Sequence, residues 1–205
     1  MLSKELIKKY GKLYSEELGI NLASKKEKEI FKWFIASILY GKRISQQIAR
    51  KTANLIINKY CLDTPEKILK AGWNKLVEIL DEGGYVRYDF STASRLLEIC
   101  KELKAKYNSL ENLHKKAFNP KDLEQKLMQF KGIGPITANI FLRELRPFWK
   151  KANPRPLKIV KETARKLKID LLKLNRKTVK FIRLEAALIR YAKHSRSKSF
   201  LQKSN

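Results

Sequence analysis

The sequence predicts an all-α protein. Three observations carry this: helix-start signals recur along the chain, alternating apolar and polar strand patterns are absent, and the stretches between helical segments are short. About nine or ten helices are expected, joined by short connections. The first twenty residues, MLSKELIKKYGKLYSEELGI, have an amphipathic helical pattern. Ser24-Lys25-Lys26-Glu27 reads as a capping box opening KEKEIFKWFIASILY, a run apolar enough to be a buried helix, which Gly41 ends. Ser45 caps the next helix, QQIARKTANLIINKY. Thr64-Pro65-Glu66 and Asn119-Pro120-Lys121-Asp122 each supply a cap, a proline at the first helical position and an acid in the first turn, and each opens a short helix. Ser91 precedes TASRLLEICKELKAKY after the turn-like DEGGYVRYDF, and TVKFIRLEAALIRYAKH is the last helical stripe. Arg146 to Pro156, RPFWKKANPRP, breaks the rhythm, because its prolines favour extended backbone crossing the surface or lining a cleft. The tail AKHSRSKSFLQKSN is basic, Ser-rich and expected to fray. No internal repeat is visible.

Composition narrows the partners. The 205 residues hold 46 Lys and Arg against 20 Asp and Glu, a formal charge of +26. Self-repulsion of this size is relieved by a polyanion, and nucleic acid comes first. A thermophilic surface would raise the acids together with the bases, and here the acids lag. With 43% hydrophobic residues the chain can build a core, so global disorder is excluded. The N-terminus lacks the apolar centre of a cleavable signal, no run is apolar enough to span a membrane, and the expectation is a cytoplasmic, nucleoid-associated monomer without membrane contact. Cys61 and Cys100 are far apart with no C-x-x-C, so both read as buried core thiols rather than a disulfide or metal framework. His114 and His194 have no partner at metal-ligand spacing and read as solvated or capping residues, with no metal site expected. Trp33, Trp73 and Trp149 read as core, Trp149 being the one near the Asn153 loop.

The most informative stretch is Leu127 to Leu142, LMQFKGIGPITANIFL. A helix reaching Phe130 is followed by Gly132-Ile133-Gly134 and then by Pro135 at the start of the next helix. Two glycines one residue apart let backbone approach a phosphate while the free N–H groups of the new helix point outward. The alternative is a plain helix–helix turn, and Lys131 within so basic a chain favours the phosphate site.

These residues resemble the helix-hairpin-helix of the endonuclease III-like (HhH-GPD) DNA glycosylase superfamily. The resemblance extends in order through IASILYGKRISQQIARKTANL (35–55), GGYVRYDFSTASRLLEICKEL (83–103) and RLEAALIRYAKHSR (183–196), covering roughly residues 25–200. It implies a two-lobed helical fold with the hairpin at the mouth of an interlobe cleft. A barrel lobe would span 22–130, and a terminal lobe would combine 1–21 with 131–205. It also implies a double-stranded DNA partner, with Lys131, Gly132, Ile133, Gly134 and Thr137 on the phosphates. Lys42, with Arg43 beside it, matches the position where the family inserts a side chain into the gap left by a flipped nucleotide, although a Gly-Lys-Arg turn is also an ordinary solvated turn. Tyr85, Arg87 and Tyr88 either line the cleft or pack in the core; both remain open.

The chain departs from the family at its chemistry. Ile136 occupies the place of the lysine that forms a Schiff base with the sugar, so no lyase of that kind is expected. Asn153 occupies the place of the loop aspartate whose anion offsets the oxocarbenium-like charge. At about 4 Å and an effective dielectric near 20, losing that attraction is worth roughly 4 kcal/mol, or about a thousandfold in rate. A substitute carboxylate would be needed, and Glu144, Glu162, Asp170 and Glu185 are available, each as readily a partner for surface cations. Where the family often has four cysteines, HSRSKSFLQKS has none, so no iron–sulfur cofactor is expected. The resemblance therefore implies a monofunctional DNA N-glycosylase that flips and removes a damaged or mispaired base without cutting the strand. The alternatives are a disabled glycosylase fold that binds lesions, and an RNA-binding helical protein, which DNA–RNA competition would separate.

Overall fold

Dense apolar residues in KEIFKWFIASILY bury this segment on all sides, and it becomes the helix around which the larger core is laid. The computed structural model describes residues 2–201. Among them the helices are α1 (Leu2–Tyr10), α2 (Tyr14–Glu17), α3 (Glu27–Tyr40), α4 (Gln46–Asn54), α5 (Pro65–Glu82), α6 (Asp89–Lys106), α7 (Leu110–Lys116), α8 (Pro120–Met128), α9 (Pro135–Leu145), α10 (Lys158–Lys166) and α11 (Val179–Leu201), with no strand. A short 3-10 turn at Leu22–Ser24 precedes α3, and a π turn at Leu55–Lys59 extends α4. The described helices exceed the nine or ten expected, partly because short α2 and α7 are separate elements. In α5, Gly72 breaks the helix at φ 74°, a conformation glycine adopts without a Cβ penalty.

Ser45, Thr64 and Asn119 cap their helices as predicted, accepting from the amides of Ile48, Lys67 and Asp122. The Ser24 capping box does not form. Ser24 closes the preceding 3-10 turn, and Glu27 accepts from the amides of Leu110 and Glu111 at 2.7 and 3.1 Å, capping α7 from another part of the chain. A long-range acceptor thus takes the carboxylate that the local pattern assigned to α3. Likewise α6 starts at Asp89, and the Ser91 hydroxyl donates back to Tyr88 O. Cys100 is buried, but Cys61 is exposed, at φ 53° in the turn after α4, which corrects its reading as a core thiol. Trp73 is also outside the core, 40% exposed against Phe90. The helix continues through the expected fraying tail as far as Leu201; the tail's last residues, 202–205, lie outside the described residues.

Two hydrophobic cores result. The larger gathers α3, α4, α5, α6 and α7 with Phe130, Phe141 and Trp149, and Trp33 donates from α3 to Phe141 O at 3.0 Å, tying α9 to it. The smaller is made by Leu6 of α1, Val160 and Ala164 of α10, and Leu184 and Leu188 of α11. Helix α11 serves both, because Ala186 faces the larger core. Between the cores, Arg146 and Glu185 form an ion pair with both side chains at or below 1% exposure. Arg146 Nη2 also donates to Pro154 O at 2.6 Å, which fixes the proline-rich segment against α11. No described helix is long and apolar enough to cross a membrane.

Removing one partner leaves an uncompensated charge in this interior. Glu185→Ala is therefore expected to lose about 3–5 kcal/mol of unfolding free energy in urea titrations, whereas the double change Arg146→Met/Glu185→Leu recovers most of it.

Candidate functional site

The hairpin begins where α8 ends. Gly132 takes φ +88°, and a Cβ built there would lie 2.6 Å from Arg95 Cδ, so an α6 arginine rests directly on the turn. Ile133 is buried and anchors the loop, Gly134 caps α9 with extended backbone, and Pro135 opens the helix. The first amide to bond back is that of Ala138, to Gly134 O, so the N–H groups of Ile136 and Thr137 lie in the unpaired first turn of α9. Lys131 is exposed and pairs loosely with Glu98 at 3.5 Å. The two-glycine turn and the unpaired first-turn amides read from the sequence are present.

Thr137 is buried against the Gly41 backbone, where any Cβ at residue 41 would overlap its hydroxyl. This close approach joins α9 to the turn bearing Lys42 and Arg43. Arg43 is exposed; Lys42 is half-buried, and its pKa is held below the ordinary lysine value, first by burial and then by the Arg95 charge. Tyr85 takes the core alternative: it is fully buried, and its hydroxyl donates to Leu39 O at 2.8 Å, bracing the end of α3 just before the Lys42 turn. With no exposed ring face, Tyr85 has nothing to stack on a base. Arg87 is exposed, 5.7 Å over the half-buried Tyr88 ring.

Two cavities meet at this place. One, of about 750 Å³, is lined by Ile136, Asn139, Asn153, Arg155 and Glu124. The other, of about 260 Å³, is lined by Tyr40, Lys42, Arg143 and Lys193 together with aliphatic side chains. Ile136 and Leu157 line both and form their shared wall. The Asn139 amide donates to Arg155 O at 2.8 Å, which holds the proline-rich segment across the first cavity. The Oδ1 atoms of Asn139 and Asn153 are buried without hydrogen-bond partners, so this cavity offers acceptors for a donor such as water or a sugar hydroxyl.

None of the four carboxylates picked from the sequence is free for chemistry here. Glu144 is buried and accepts from the amides of Tyr14 and Ser15, each at 3.1 Å. Glu185 is tied to Arg146, Glu162 lies near Lys158, and Asp170 caps Leu172 N. Sequence reasoning missed Glu124 on α8, which lines the Asn153 cavity. Burial pushes its carboxyl above the ordinary glutamate value, with Arg155 and Arg146 opposing. No local signal marks it, because its placement depends on how α8 packs beside the hairpin. Arg95 was missed for the same reason. His114 is half-buried and stacks on Trp149 at 4.5 Å, while its Nε2 accepts from Lys151 N; both are supports under the loop.

No protein-family model matches the chain, and no curated protein matches it in sequence. Among solved structures it is similar to the crystal structure of H. pylori 3-methyladenine DNA glycosylase (MagIII) bound to 1,N6-ethenoadenine, with a TM-score of 0.53 and 17% identity, covering 80% of this chain and 85% of that one. The fold is the all-helical HhH-GPD type.

A carboxyl raised by burial binds its proton more tightly when folded. Glu124 therefore reduces stability as pH rises through the window above its unfolded value. Glu124→Gln is expected to melt higher than the native chain near neutral pH, and the gap is expected to close as pH falls below about 4, in melts recorded across that range.

Proposed function

We propose that this protein binds double-stranded DNA, extrudes a nucleotide into the cleft and hydrolyses its N-glycosidic bond without cutting the strand. The observation that carries this is the joining of three parts at one place: an open hairpin and helix start, the Lys42 turn locked to them through Gly41 and Thr137, and paired cavities behind. The net charge of +26 and the fold shared with a DNA glycosylase support it. In this reading residues 22–130 form one lobe, 1–21 with 131–205 form the other, and the chain acts as a monomer on chromosomal DNA.

Gly132, Ile133 and Gly134 present backbone to one strand, with Lys131 and Arg95 adding charge. Thr137 contributes through its free backbone amide, since its side chain is packed on Gly41. Lys42 or Arg43 fills the gap in the stack, and Arg87 holds the backbone beside it. Extrusion is least costly at a damaged or mispaired base, which is itself a source of selectivity. Asn153 holds a water through its unpartnered oxygen, and Glu124 takes the water's other proton as its oxygen adds to C1′ of the sugar. Ile136 has no amine, so the reaction ends at an abasic site with no Schiff base through this position.

Asn153 and Ile136 also favour a second reading, a glycosylase fold that binds lesions without turnover. Base release from duplexes carrying uracil, oxidised, alkylated and mismatched bases separates the two, with alkali revealing abasic sites. Release by the native chain, lost in Glu124→Gln, supports excision. Release by Asn153→Asp alone supports the disabled fold.

Duplex affinity is expected to fall linearly with the logarithm of salt concentration, since phosphate contacts release counterions. Gly132→Ala, strained at φ +88° and pressed on Arg95, is expected to weaken duplex binding about tenfold with little change in salt slope. Affinity that ignores salt would remove the nucleic-acid reading.

A further inference from the structure

The smaller cavity has an electrostatic character of its own. Its lining includes three cations, Lys42, Arg143 and Lys193, and no carboxylate. Arg143 is 4% exposed, and its Nε is buried without a hydrogen-bond partner; the Tyr40 hydroxyl, in the same wall, is likewise buried and unpartnered. The guanidinium lies 5.0 Å from the Tyr14 ring centroid, a contact that leaves its donors unused. Burial raises the pKa of Glu144, with the Arg143 charge opposing, and its two oxygens accept from the amides of Tyr14 and Ser15 rather than from the guanidinium. Arg190 also lies over the Tyr14 ring, 4.2 Å from its centroid, and is paired with Glu17. A buried guanidinium nitrogen without a hydrogen-bond partner is costly, and the cavity is open space beside it.

The lining also includes the aliphatic side chains of Ile136, Ile140 and Ile189, the first two on the same face of α9 as Arg143. A flat apolar ring that carries or acquires negative charge fits this mixed lining. Resting on the excision reading above, we propose that this cavity receives the extruded base and selects one that departs as an anion: uracil and its oxidised or halogenated relatives, in preference to an N-alkylated purine. As the C1′–N1 bond breaks, its electron pair stays on N1 of the pyrimidine. The water held at Asn153 supplies hydroxide to C1′, its proton passes to Glu124 and then to solvent, and the base anion is protonated on release. Arg143 and Tyr40 stabilise charge that appears on the leaving group rather than on the sugar. This accounts for an excision site without an aspartate at residue 153. An N3- or N7-alkylated purine is a cation within DNA, and three like charges oppose its entry.

The test is single-turnover base release by the full chain from duplexes carrying 5-fluorouracil, uracil, 3-methyladenine or 7-methylguanine. Release is expected in the order 5-fluorouracil, then uracil, following leaving-group acidity, with the methylated purines slower than both. Arg143→Met is expected to lower uracil release on the order of a hundredfold, and Arg143→Lys to restore part of it. Tyr40→Phe deletes an unpartnered hydroxyl, so it keeps the fold, and is expected to lose about tenfold. Methylated purines leaving as fast as uracil, or 5-fluorouracil no faster than uracil, would overturn the proposal. A binding measurement separates it from the excision reading: the barbiturate anion, a pyrimidine ring with fixed negative charge, is expected to raise the melting temperature of the native chain and not of Arg143→Met. If no duplex yields a base but this shift is seen, excision falls and the anion cavity stands. If no shift is seen, the cavity assignment falls whatever the duplexes do.

Discussion

The buried pair of Arg146 and Glu185 is the constraint on which the cleft depends. It crosses between the larger and the smaller core, and its second nitrogen grips the Pro154 carbonyl. Without it, the segment from Pro147 to Leu157 would lose this anchor on α11, and the wall carrying Asn153, Arg155 and Leu157 would rest on Trp149, His114 and the Asn139 bond alone. Such a pair contributes little net stability compared with a well-packed apolar substitute, so its value lies in specifying one arrangement. The Asn139 amide bond to Arg155 O then holds the far end of the same segment to α9.

The second organising feature is a pair of adjoining cavities that share Ile136 and each hold buried polar atoms without partners. On one side lie two unpartnered amide oxygens and a carboxyl destabilised by burial, together with Lys121, Arg155, Lys158 and Arg176. On the other lie an unpartnered guanidinium nitrogen, a phenol and two amines. Buried polar groups are normally satisfied, so orphans of opposite kind in adjoining cavities mark where a ligand's own donors and acceptors complete the set. A lysine at residue 136 would place a further cation on the boundary between the cavities; isoleucine leaves that boundary uncharged.

Much was legible because it is local. The caps at Ser45, Thr64 and Asn119, the stop at Gly41 and the Gly132–Gly134 turn are each written in a few consecutive residues, and local backbone chemistry decides them. What the sequence missed or left open turned on a distant group. Glu27 left its expected box for the amides of α7, and Tyr85, on a Gly-rich turn that could have faced the cleft, was drawn into the core by its bond to Leu39 O. Glu124, Arg95 and Arg143 sit in helical stretches whose charges look like any solvated face, and only packing shows that they point toward the hairpin and cavities.

The sequence by itself determined the helical class, the basic surface and the hairpin, because helix capping, net charge and glycine backbone freedom act within a few residues or do not depend on position at all. Tertiary structure decided which carboxylate reaches the cleft and which cations are left without partners. Burial and pairing are properties of what surrounds a side chain, and for Glu124 and Arg143 those surroundings come from segments far away in the chain.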